Sequence, residues 1–69
     1  MEATLKTHFI GLAGLASLRK SSDGHYYAVY IQETRLLRRT DWPEVHTMAS
    51  ATKEFRAFVN AIYDQKVGL

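Results

Sequence analysis

A chain of 69 residues with 46% hydrophobic and 12% aromatic residues, and no cysteine, holds one domain. It excludes both a disordered composition and a disulfide scaffold. Its formal net charge of +2 is unevenly placed: residues 1–40 carry six Lys/Arg against three Asp/Glu, and residues 41–69 carry three against four. A core of this size supplies only about 3–5 kcal/mol, so a protein partner or a second copy is the expected support, and the basic first half points to an acidic partner.

At the N-terminus, Phe9–Leu18 reads FIGLAGLASL, a largely apolar run of ten after Lys6. It imitates the hydrophobic region of a signal peptide, but Glu2 sits where a basic leader belongs and no clean A-x-A site follows. Ten residues also fall short of the ~20 that span a bilayer. A cytoplasmic protein is the expectation. Within residues 1–16, Leu5, Phe9, Leu12 and Ala16 recur at helical spacing, whereas Gly11 and Gly14 weaken a helix. The preferred reading is a short helix, then an extended segment from about Leu15.

Ser21-Ser22-Asp23-Gly24 is turn chemistry between two extended flanks, which predicts a hairpin. Along the strand that follows, period two sets Tyr27, Val29 and Ile31 on one face and Tyr26, Ala28 and Tyr30 on the other. Both faces are apolar, as in a central strand, and Arg35–Thr40 is the expected third strand, although Gln32-Glu33-Thr34 offers no glycine to turn the chain.

Two readings fit Asp41-Trp42-Pro43-Glu44. Pro43 holds Trp42 extended, favouring a turn and then a strand over Val45–Met48, which is preferred. Alternatively Asp41 and Glu44 form a capping box that opens a helix. Beyond this, Phe55, Phe58, Val59 and Ile62 form an apolar helical stripe with Lys53, Arg56, Asn60 and Asp64 away from it. Ser50 is the expected cap and Gly68 the stop. The fold class is therefore α+β: one domain over 1–69, comprising an N-terminal segment (1–16), a β-rich hairpin region (17–49) and a C-terminal helix (50–66). A small antiparallel three-stranded sheet packs against that helix.

Chemistry is sparse. His8, His25 and His46 lack the short spacing of a zinc site, so no metal or other cofactor is expected. Ser21, Ser22 and Asp23 beside His25 can be drawn as a nucleophile with its base, but turns are built from the same residues, and so short a chain does not easily enclose a substrate. Gly11-Leu12-Ala13-Gly14 lacks the spacing and the lysine of a phosphate loop. An enzyme is not expected. What stands out is Arg19, Lys20, Arg35, Arg38 and Arg39, with Tyr26 and Tyr30 on the strand between them and Trp42 beyond. Arginine and aromatic residues anchor interfaces because they join broad contact area to hydrogen-bonding ends, and the same arginines could grip phosphates.

Ser17–Ser22, Val29–Ile31, Leu37–Asp41 and Lys53–Phe58 together resemble a family of small actinobacterial proteins of unknown function. That family opens with Ser-Trp-Arg-Lys-Ser-Ser, continues through a strand to Val-Arg-Asp-Ser and closes with Glu-Trp-x-x-Phe in a terminal helix. Order and spacing fit over residues 17–62. Leu18 stands here for the opening tryptophan, Gly24–Val29 for a segment containing cysteine, and Arg39 for an aspartate. The resemblance implies a partner: such proteins are commonly encoded beside helix-turn-helix regulators and are thought to act with them or as antitoxin-like proteins.

The leading expectation is a small regulatory or inhibitory protein that binds another protein through an Arg/Tyr-rich β surface, as a regulator partner, antitoxin-like protein, or phage or mobile-element inhibitor of a host complex. The alternative is DNA binding by a three-stranded sheet backed by a helix. In outline that resembles the arm-binding domains of integrases and the plant AP-type DNA readers, where a phrase like Gly24–Ala28 also begins the second strand.

Overall fold

The computed structural model describes residues 3–67, with side chains through residue 65. Four strands, β1 (Ala3–Ile10), β2 (Gly14–Lys20), β3 (Tyr26–Gln32) and β4 (Arg35–Trp42), form one antiparallel sheet in chain order, and α1 (Met48–Val67) follows. The architecture is α+β with the C-terminal helix on an antiparallel sheet, but the sheet has four strands rather than three.

The extra strand is β1, where a helix was the preferred reading. Gly11 and Gly14 explain the difference. Gly11 takes φ 70° in the turn between β1 and β2, a conformation that side-chain-bearing residues resist. At Gly14 a Cβ would lie 2.4 Å from the Ile10 carbonyl oxygen and 3.0 Å from the Tyr30 ring. The glycines that weaken a helix thus close a tight hairpin. Ser21–Gly24 closes the second hairpin as expected: the Gly24 N–H donates to the Ser21 carbonyl at 3.0 Å, and the Ser21 N–H to the His25 carbonyl at 2.9 Å. The third hairpin turns through Glu33 at φ 58°, a non-glycine residue in left-handed backbone, and the Glu33 N–H donates to the Ala13 carbonyl at 3.1 Å.

Of the two readings of residues 41–49, the turn holds, but the strand after it and the capping box do not. Asp41 and Trp42 still pair with Tyr27 and Tyr26 at the end of β4, so Asp41 cannot cap a helix and no strand follows over Val45–Met48. The expected turn is closed by the Val45 N–H, which donates to the Trp42 carbonyl at 3.2 Å. The cap is Thr47, not Ser50. Its Oγ1 accepts the Ser50 N–H at 3.2 Å, satisfying one of the amides that a helix start leaves open. The stop expected at Gly68 lies outside the described residues.

One face of the sheet carries the core. Ile10, Ala16, Leu18, Tyr26, Ala28, Tyr30 and Trp42 pack with Ala51, Phe55, Phe58, Val59 and Ile62 of α1. The small residues Ala16, Ala28 and Ala51, each with no exposed surface, let the helix approach the middle of the sheet, and the aromatic rings fill the ends. Trp42 meets Phe58 edge-on with ring centroids 6.4 Å apart, an arrangement aromatic quadrupoles favour.

Candidate functional site

Strand register determines which side chains share the face that α1 leaves open. Residues paired across antiparallel strands project to the same side, so three rows cross it. Phe9, Leu15, Ile31 and Leu36 form the first; Thr7, Ser17, Val29 and Arg39 the second; Thr4, Arg19, Tyr27 and Asp41 the third. An antiparallel sheet covered on one side normally turns polar residues outward. The first row is apolar instead. Phe9 is 76% and Leu36 58% exposed, and Leu12 in the adjoining turn is fully exposed.

The opposite end of this face is charged and tightly connected. The Arg39 guanidinium lies 4.2 Å from the Tyr27 ring centroid, and its Nε and Nη2 donate to the two Asp41 oxygens at 2.9 and 3.1 Å. Asp41 Oδ2 also lies 2.8 Å from His25 Nε2. On the other side of that ring, Nδ1 is 2.6 Å from Asp23 Oδ1 and 2.9 Å from Ser21 Oγ, while the Ser21 hydroxyl donates to Asp23. Hydrogen bonding governs the ionisation of all three groups. The Arg39 and His25 hydrogen bonds hold Asp41 down at about 2, those from Ser21 and His25 hold Asp23 at about 2, and the Asp41 and then the Asp23 carboxylate raise His25 above its ordinary value. The structure therefore does bring Ser21, Asp23 and His25 together. In this arrangement both the serine hydroxyl and the imidazole are engaged with Asp23, and the groups tie the β2–β3 turn to β4.

The basic and aromatic residues singled out in the sequence divide between the two faces. Arg19 and Arg39 belong to the open face. Tyr26, Tyr30 and Trp42 lie in the core beneath α1, which corrects the expectation that the two tyrosines line the contact surface. Lys20 and Arg38 sit on the helix side, their charges over the rings of Tyr26 and Phe58 at 5.2 and 5.8 Å. Arg35 closes β3–β4 opposite Gln32, on that same side. Sequence reasoning missed Phe9 and Leu36, and the apolar alternation of β1 was the signal that could have found Phe9. Among the described residues no helix is long and apolar enough to cross a membrane. Comparison with family models, with curated proteins and with solved structures gives no match.

Proposed function

We propose that the protein is a non-catalytic interaction module whose open sheet face docks onto another protein. The observation that carries this reading is the apolar row Phe9, Leu15, Ile31 and Leu36, exposed at Phe9 and Leu36 and half-buried between them, with exposed Leu12 beside it. Contiguous apolar surface on a face that the helix leaves uncovered is characteristic of an interaction site, and Thr7, Arg19, Arg39 and Asp41 alongside supply the polar rim such interfaces require. The motif order shared with the actinobacterial family favours a regulator as partner, in the manner of an antitoxin or of an inhibitor that occludes a host complex. A core of this size benefits from such support.

A DNA reading draws on Arg19, whose buried Nε has no hydrogen-bond partner among the described residues and which shares the open face. Two features weigh against it: Asp41 pairs with Arg39 on that face, and the exposed leucines offer nothing to phosphate. The test is capture by the tagged protein from lysate of its own organism, with and without nuclease, alongside a Phe9→Ser/Leu36→Ser variant. A stoichiometric protein that survives nuclease and is lost with the variant is expected. Nuclease-sensitive recovery of DNA, or capture indifferent to the two substitutions, overturns the docking face.

A further inference from the structure

On the helix side of the sheet, β1 and α1 do not close against each other. α1 packs over β2 and β3, leaving a groove of about 500 Å³ along β1, within the roughly 300–1,000 Å³ typical of small-molecule sites. One stripe of the helix, at positions 52, 55, 56, 59, 60 and 63, forms its far wall. Phe55 and Val59, each 6% exposed, supply an apolar base. Lys6 on β1 and Arg56 on α1 bring a cation from each wall, and among the described residues no aspartate or glutamate lines the groove. Neither cation forms an ion pair among the described residues. Tyr63 and His8 bridge strand and helix: the Tyr63 hydroxyl and His8 Nε2 are 3.2 Å apart, with their rings edge-on at 6.0 Å.

We propose that this groove binds a small amphipathic carboxylate, its hydrocarbon or aromatic body against Phe55 and Val59 and its carboxylate between Lys6 and Arg56. The complementarity is chemical. An apolar base favours burial of a hydrocarbon, and cations on facing walls with no acid between them favour a compact anion. The His8–Tyr63 bridge gives the groove polar groups that can orient the ligand. This site lies on the opposite face of the sheet from Phe9 and Leu36, so it stands or falls independently of the docking face.

The probe is octanoate, with neutral octanamide as its control, titrated into isotope-labelled protein and followed by amide chemical shifts. Saturable shifts confined to 6–8 and 52–63 are expected, with octanamide binding at least about tenfold more weakly, the weight of one charge-assisted hydrogen bond. Lys6→Ser combined with Arg56→Ser should weaken octanoate by at least about the same factor. Both side chains are exposed, so the fold survives the change, and Phe9→Ser/Leu36→Ser should leave the affinity unaltered. Equal affinity for acid and amide, shifts on the row Phe9, Leu15, Ile31 and Leu36, or no saturable shift overturns the proposal.

Discussion

His25 shows how a single residue can connect a local turn to the tertiary structure. Its Nδ1 meets Asp23 within the turn and its Nε2 meets Asp41 across the sheet, at 2.6 and 2.8 Å. With a carboxylate at each nitrogen, the doubly protonated ring, a donor at both positions, suits the site better than either neutral tautomer. The pH dependence follows from linkage. Because the folded-state pKa of His25 lies above its ordinary 6.5, its stabilisation is complete below about 6.5 and is lost as pH rises through the raised value. For Asp23 and Asp41, held at about 2 against an ordinary 3.8, the contribution is present above 3.8 and is lost as pH falls toward 2. The cluster is thus most stabilising between about pH 4 and 6. His25→Gln should remove the alkaline decline: the wild type should melt at a lower temperature at pH 8 than at pH 5, and the variant should show a smaller difference. An equal decline in both proteins would assign the pH dependence to other groups. Because these side chains lie at the surface, added salt should reduce the effect.

The three hairpins differ in how plainly their turns are written. Ser21–Gly24 declares itself through residue type, and the strand after it through its alternation, so β2, β3 and most of β4 are legible from the sequence. β1 is not, because Leu5, Phe9, Leu12 and Ala16 match a helical period by coincidence: they fall on two strands and a turn, and Ile10 is the only residue of β1 that is buried. The arginine-rich character of the surface was legible too. Which tyrosines α1 covers was not, since alternation separates Tyr27 from Tyr26 and Tyr30 without saying where the helix lies. The β3–β4 turn is obscure because Glu33 does a glycine's work at φ 58°. That position carries a conformational cost of about 1–2 kcal/mol for a side-chain-bearing residue. Glycine relieves it and, after allowing for its greater freedom in the unfolded chain, Glu33→Gly should stabilise by about 0.5–1 kcal/mol, raising the midpoint of thermal unfolding by about 2–8 °C for a domain of this size. A lowered midpoint would mean that the Glu33 side chain contributes more than its backbone costs.

At the scale of the whole fold, one helix holds one sheet, with no second layer among the described residues to share the load. Phe58 is central to that contact: it lies edge-on to Trp42 and stacked beside Phe55, both at 6.4 Å between centroids, with the Arg38 guanidinium 5.8 Å from its ring. Truncating a buried phenylalanine to alanine costs about 3–5 kcal/mol through lost burial and the cavity left behind. That equals the whole stability, about 3–5 kcal/mol, available to a core of this size. Sheet and helix should therefore be lost together in Phe58→Ala. The far-ultraviolet helical signal and the burial-dependent fluorescence of Trp42 should both be those of the unfolded chain at 25 °C. Phe58→Leu, which keeps most of the volume, costs less and should still fold with a cooperative transition. A Phe58→Ala protein whose sheet amides stay protected from hydrogen exchange while those of α1 exchange freely would mean that the four-stranded meander stands without its helix. The open face would then belong to an independently stable sheet, and truncations lacking α1 should retain the partner.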